Sequence, residues 1–279
     1  MPRAPRSTPV PAANRATSPT NLFVGTSGWA YNTWKPGFYP PDVPSRAFLH
    51  FYASKLTAVE VNYTFRSDLT EDVLRSWLDA TPPGFRFCFK APQAITHFQR
   101  LRDCHAAVAT FVDSVRLAGR AGKLGPLLFQ LPPNFAPNPT LLAEFLKAPA
   151  FRRRSAPPIA FEFRHAGWFA EATYTVLRRH GAGLCLAESD DLVTPEIFTA
   201  PFRYYRLRRS GGYPLKTIKA FAERFTEMSR NAEVFAFLKH EDEPTGALLA
   251  RKLVQHSAKV DMSAAKAATP EAGNTEAGQ

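Results

Sequence analysis

The sequence predicts a single (β/α)₈ barrel of the TIM type, and three observations carry that expectation. Eight short apolar runs recur along the chain, most of them separated by segments with helical spacing. The alternation occupies residues 21–261, about 240 residues, which is the size of one such barrel. The competing open, doubly wound sheet lacks its phosphate fingerprint. The first run leads into Gly25-Thr26-Ser27-Gly28-Trp29, which has no G-x-G-x-x-G spacing and is followed by no helix pattern.

Taken in order, the runs are Leu22–Gly25, Ala58–Asn62, Arg86–Lys90, Leu127–Gln130, Ile159–Phe163, Gly183–Ala187, Phe202–Leu207 and Glu233–Phe237. Between the second and third, Ser67 or Asp68 is placed to cap a helix whose apolar face is Val73, Leu74, Trp77 and Leu78, and Pro82-Pro83-Gly84 ends it. Further helices are expected over Arg46–Lys55, Asp103–Ala118, Thr140–Lys147, Ala170–Arg179, Leu215–Glu227 and Ala247–Gln255. The link after the sixth run has no convincing helix pattern.

Composition sets the class. Of 279 residues 45% are hydrophobic and 21% charged, which is globular, and 23 phenylalanines point to an aromatic core. No apolar run approaches the ~20 residues of a membrane span, and residues 1–20 lack the apolar stretch of a secretory signal. A soluble, cytoplasmic protein is expected. Residues 1–20 carry Arg3, Arg6 and Arg15 and no acid, the composition of a disordered arm, with a transit peptide as the less favoured alternative; residues 262–279 read as a disordered tail. Cys88, Cys104 and Cys185 have no metal or redox spacing, which fits a reducing compartment. The net charge of +11 favours anionic partners, and part of it is clustered in the arm, in Arg152–Arg154 and between Arg203 and Arg209.

Barrel enzymes gather their working groups where strands run out into the following loops. Period-two alternation puts Glu60 and Asn62 on one face of the second strand, Cys88 and Lys90 on one face of the third, Glu162 and Arg164 on one face of the fifth, and Tyr204 with Arg206 on the seventh. Gln130 ends the fourth strand and Lys239, with His240, follows the eighth. So many interior charges must pair, so Glu60 and Glu162 are expected to meet some of Lys90, Arg164 and Arg206. That pairing alone could be a buried network that only fixes the barrel. Its concentration at the strand ends argues for a site.

Several ordered motifs carry a resemblance. They are Gly25-Thr26-Ser27-Gly28-Trp29-Ala30-Tyr31 with Trp34 and Gly37-Phe38-Tyr39-Pro40; Glu60-Val61-Asn62-Tyr63-Thr64-Phe65; Phe89-Lys90-Ala91-Pro92 with Ile95-Thr96-His97; Leu124 to Pro133; and Glu162-Phe163-Arg164-His165 with Trp168. Together they resemble the YecE-like family, domain of unknown function 72. The resemblance implies a TIM-type barrel and no settled reaction. Many members end the seventh strand with Arg-x-His-Gly and the eighth with Phe-Asn-Asn. Here those places read Arg206-Leu207-Arg208-Arg209 and Phe237-Leu238-Lys239-His240, which resembles a more basic branch.

Three functions are carried forward. The leading one is an enzyme acting on a small anionic, phosphorylated or carboxylated sugar-like substrate. Lys90, Arg164 and Arg206 would clamp the anion, with Asn62, Gln130 and Lys239 beside them and Trp29 and Tyr31 stacking on it; Glu60 or Glu162 would be the base, and His165 or His97 would shuttle a proton. A divalent metal on Glu60, Glu162, His97 and His165 is not favoured, because no H-x-x-x-H or C-x-x-C spacing supports it. Two-carboxylate glycoside hydrolysis ranks lower, since neighbouring cations would leave neither glutamate as an acid. The alternatives are a nucleic-acid binding or processing protein, and a barrel that binds without turnover.

Overall fold

The computed structural model describes residues 21–239 and 243–268. The expected arm, the last residues of the expected tail and His240 lie outside the described residues. Eight parallel strands form at the eight expected places: β1 (Leu22–Thr26), β2 (Ala58–Val61), β3 (Arg86–Phe89), β4 (Leu127–Gln130), β5 (Ile159–Glu162), β6 (Gly183–Glu188), β7 (Arg203–Leu207) and β8 (Val234–Leu238). The helices are α1 (Phe48–Ala53), α2 (Glu71–Asp79), α3 (His105–Ser114), α4 (Arg116–Arg120), α5 (Pro139–Phe145), α6 (Glu171–Arg179), α7 (Leu215–Ser229) and α8 (Thr245–Ala268). No described helix is long and apolar enough to cross a membrane.

Side-chain alternation sorts the core into two layers. Phe23, Ala58, Cys88, Leu128, Ala160, Cys185, Tyr204, Phe235 and Phe237 pack together on one face of the strands. Val59, Val61, Phe87, Phe89, Phe129 and Phe161 belong to the larger cluster that the helices cover. All three cysteines are buried and free, with Cys88 and Cys185 as inner-layer filling.

The strands hydrogen-bond as a six-stranded sheet, ordered β1-β8-β7-β6-β5-β4, and a two-stranded sheet, β2-β3. The eight expected strands are thus parallel throughout and are laddered as six and two. Isolated parallel bridges join the two sheets, at Ser27 with Glu60 and at Phe87 with Leu124 and Lys90 with Leu128. Between β1 and β2, side-chain hydroxyls take the places of ladder partners. The Val24 N–H donates to Thr57 Oγ1 at 2.8 Å, and the Thr26 N–H donates to Tyr52 Oη at 2.8 Å, while that hydroxyl donates on to the Ala58 carbonyl at 3.0 Å. Gly25 permits this approach, because a Cβ there would stand 1.9 Å from the Ala58 carbonyl oxygen. Between β3 and β4 the backbone changes sides at Pro126: the Gly125 N–H donates to Phe87 O, but the Leu127 N–H donates to Pro158 O.

Two local expectations are revised, and the link after β6 is without a helix, as its sequence implies. The cap of α2 is Thr70, whose hydroxyl accepts from the Val73 N–H, and neither Ser67 nor Asp68 takes that place. After β6 no helix forms. Residues there turn back along the strand, with Thr194 and Thr199 accepting from the Ala187 and Leu184 N–H groups. Finally, α8 continues to Ala268, past the expected boundary at 261, because an alanine-rich stretch is also the best helix former.

Candidate active site

The C-terminal strand ends converge on a buried ion triad. Arg206, on β7, donates from one terminal nitrogen to Glu60 Oε1 at 2.7 Å and from the other to Glu162 Oε2. Arg206 and Glu162 are each 2% exposed and Glu60 is 0% exposed. Glu60 also accepts from Ser27 Oγ at 2.7 Å and from Tyr204 Oη at 2.8 Å, and Glu162 accepts from Arg164 Nε at 3.0 Å. Burial alone would raise both carboxyls. For Glu60 it is outweighed by Arg206, Arg208, Ser27 and Tyr204, which hold the group below the usual carboxylate range. For Glu162, Arg206, Arg164 and Arg208 bring it down to about 2.

This geometry redistributes the expected roles. A base needs a free lone pair facing substrate, and Glu60 is enclosed with three donors already upon it. The two glutamates expected to supply a base both accept from Arg206 in this structure. Arg206 in turn has both terminal nitrogens engaged, which leaves the expected clamp short of one member.

Above the triad lies a cavity of about 390 Å³ lined by Tyr31, Asn62, Phe65, Arg66, Lys90, Gln130, Arg164, Arg206 and Arg208. Five of these are cations and none is an acid. A second cavity of about 390 Å³ adjoins it through Arg164 and Arg208 and is lined by Glu162, Asp190, Asp191, Ser210 and Lys239 among others. Arg208 reaches Ser27 Oγ at 3.2 Å and makes no ion pair among the described residues. Burial and the adjacent Arg206 lower its guanidinium, which stays charged at neutral pH. Lys90 lies 3.7 Å from the centre of the Phe65 ring, and burial, with Arg206 next, pushes its ammonium down to about 8. Asn62 donates weakly to Ser27 O at 3.5 Å, and its buried Oδ1 has no partner among the described residues.

Of the residues singled out in the sequence, Asn62, Lys90, Gln130, Arg164, Arg206 and Tyr31 meet in the first cavity and Glu162 and Lys239 in the second. The others do not join them. His97 bonds Thr96 Oγ1 at 2.9 Å and packs edge-on to Phe65, while burial and then Lys90 lower its pKa. His165 turns onto its own backbone, its Nδ1 accepting from the Gly167 N–H at 3.1 Å. Trp29 packs edge-to-face on Trp77, and Trp34 and Tyr39 stack in the core, so the aromatic loop is mostly packed on the protein itself. No three His, Cys, Asp or Glu side chains among the described residues gather as a metal set. Sequence reading missed Arg208 and Ser27. Arg208 was within reach, since it lies two residues beyond Arg206 on the same face.

The family model for a protein of unknown function, DUF72, matches residues 23–273. The UPF0759 protein YecE of Escherichia coli K12 is 31% identical over 117 residues, 42% of this chain and 39% of the relative. The UPF0759 protein YunF of Bacillus subtilis is 27% identical over 157 residues, 55% of this chain and 54% of that protein. The matched segments thus span about two fifths and about half of these curated relatives' lengths. A solved DUF72 family protein from Thermotoga maritima has a TM-score of 0.71 at 25% identity, covering 86% of this chain and 99% of the other. Another from Enterococcus faecalis shares the fold, with a TM-score of 0.67 at 18% identity over 86% and 95% of the two chains. With its sequence matched from the first strand to beyond the last, the chain belongs to the DUF72 family.

Proposed function

We propose that the eight strands over residues 21–261 close into one (β/α)₈ barrel, and that its C-terminal mouth binds a small, hydroxylated, phosphorylated or carboxylated substrate and acts on it. The observation that carries this reading is the first cavity, where Lys90, Arg164 and Arg208 stand over a triad that has already consumed both nearby glutamates. An anion entering there meets the unpaired charges of Lys90 and Arg208 beside Arg164, which is paired with Glu162, in a partly desolvated space where charge-assisted bonds are strongest. The unpartnered Oδ1 of Asn62 supports a hydroxyl on the ligand, since a buried acceptor gains most from a donor that reaches it.

Thermal shift with glycerol 3-phosphate, against glycerol as the uncharged control, tests the reading. At about a hundred times Kd the phosphate should add about 2.7 kcal/mol, a rise in Tm of roughly 5–10 °C, and glycerol should add nothing. The effect should fall as pH rises. Lys90 is charged below about 8 and neutral above it, so affinity should weaken by on the order of tenfold between pH 7 and pH 9. Without ligand the sign is opposite: the folded value of about 8 lies below the ordinary 10.5, so the folded chain binds fewer protons in that window and stability rises with pH. Equal shifts from both compounds, or from neither, contradict the proposal.

A second reading, binding of single-stranded nucleic acid, draws on Tyr63, 48% exposed, and Phe98, 73% exposed, in the turns after β2 and β3. Oligonucleotide affinity that falls steeply with salt would support it, and no affinity at low salt would remove it.

A further inference from the structure

Lys123 and Lys90 both lie out of full solvent and are treated in opposite ways. Lys123 is 8% exposed and its ammonium donates to Leu78 O at 2.6 Å, to Thr81 O at 2.6 Å and to Thr81 Oγ1 at 3.1 Å, which completes its three bonds. Lys90, half-buried in the mouth cavity, makes no side-chain hydrogen bond or ion pair among the described residues and meets only the face of Phe65. The carboxylates that would ordinarily neutralise it, Glu60 and Glu162, are held by Arg206. Its backbone is fixed: the N–H donates to Val61 O at 3.0 Å, the carbonyl accepts from Thr64 Oγ1 at 2.7 Å, and the next N–H, of Ala91, donates to Leu128 O at 2.8 Å. A rigidly placed, desolvated lysine beside other cations has the environment that makes an amine a nucleophile near neutral pH.

Resting on the anion-site reading above, we propose that Lys90 condenses with the carbonyl group of an anionic aldehyde or ketone bound in the mouth cavity, forming an imine, while Arg164 and Arg208 hold the anionic end. The neutral Nζ lone pair attacks the carbonyl carbon, and the carbonyl electron pair moves to oxygen, which takes one of the amine protons. The carbinolamine then loses its hydroxyl as water, with the second amine proton, and the C=N bond forms. One carbonyl and one amine thus give one imine and one water, with no oxidant or reductant. The charged groups facing Lys90 are Arg206 from β7, Arg164 after β5, and Glu60 and Glu162, with Arg66 and Arg208 lining the same cavity and His97 beyond Phe65.

The test is brief exposure of the whole protein to limiting glyceraldehyde 3-phosphate with cyanoborohydride at neutral pH, followed by peptide mapping. Reduction fixes an imine as a stable secondary amine. Lys90 should be labelled at least tenfold faster than exposed Lys216, inorganic phosphate should suppress that labelling, and uncharged glyceraldehyde should lose the preference. Lys90→Arg should abolish the fast label, because a guanidinium forms no imine, while the slow label on Lys216 stays as in the wild type. Two results would overturn the inference. If glycerol 3-phosphate binds but Lys90 reacts no faster than Lys216, the imine is wrong and the anion site stands. If there is neither binding nor preferential labelling, both are wrong.

Discussion

Replacing Arg206 with methionine should lower stability by about 3–5 kcal/mol, a fall in Tm of roughly 6–20 °C, because it strands two buried carboxylates rather than removing one contact. Glu60 keeps Ser27 and Tyr204 as donors, Glu162 keeps the half-exposed Arg164, and both keep the field of Arg208, but neither retains an ion pair buried with it. The pH dependence should change as well. In the wild type, Glu162 titrates at about 2 against an ordinary 4.5, so its contribution is present above the ordinary value and is lost as pH falls through that window. In Arg206→Met the largest opposing charge is gone, so burial moves both carboxyls up from their wild-type values against the remaining pull of Arg208 and, on Glu162, of Arg164, and the acid-side loss of stability should shrink or change sign. Denaturant midpoints measured from about pH 3 to pH 8 distinguish the two slopes, because the wild-type loss falls below the ordinary carboxylate value. Substituting all three members, Glu60→Gln, Glu162→Gln and Arg206→Met, should recover much of the loss, since a buried pair is costly to break and cheap to replace whole.

The second large effect falls on binding and spares the fold. Lys90→Met and Arg208→Met should each weaken glycerol 3-phosphate about tenfold or more by calorimetric titration, and the double variant about a hundredfold, at roughly 1.5–3 kcal/mol per charge-assisted bond. Neither change should unfold the protein. The Arg208 side chain makes one hydrogen bond, to Ser27 at 3.2 Å, and the Lys90 side chain makes none among the described residues, so Lys90→Met removes a desolvated charge whose contact is the Phe65 ring and leaves the backbone bonds in place. Variants that melt early, or that bind as the wild type does, would assign these cations to structure and take the anion elsewhere.

What could be read from sequence followed one rule. Wherever a side chain's position depends on strand alternation, as for Glu60, Lys90, Glu162 and Arg206, four residues far apart in the chain were correctly sent toward one mouth. Which carboxylate meets which cation is a matter of reach across the interior, and there Arg206 took both glutamates and left Lys90 unpaired. His165, His97 and Trp29 lie in turns beyond the strands, where no period fixes direction, and each found a local partner instead. The interruption between β1 and β2 was hidden for a related reason: nothing in the spelling of Tyr52 or Thr57 says that its hydroxyl will stand in for a ladder partner. The end of α8 was misjudged because alanine is common both in disordered tails and in helices.

The most direct measurement is a crystal structure grown with glycerol 3-phosphate. The account predicts phosphate oxygens within hydrogen-bond distance of Arg208 and of Lys90 or Arg164, a hydroxyl on Asn62 Oδ1, and a Glu60–Arg206–Glu162 triad unchanged beneath them. Phosphate seated away from the mouth, or an Arg206 that has left its glutamates to reach it, would contradict the division of that site into a structural floor and a free cationic rim.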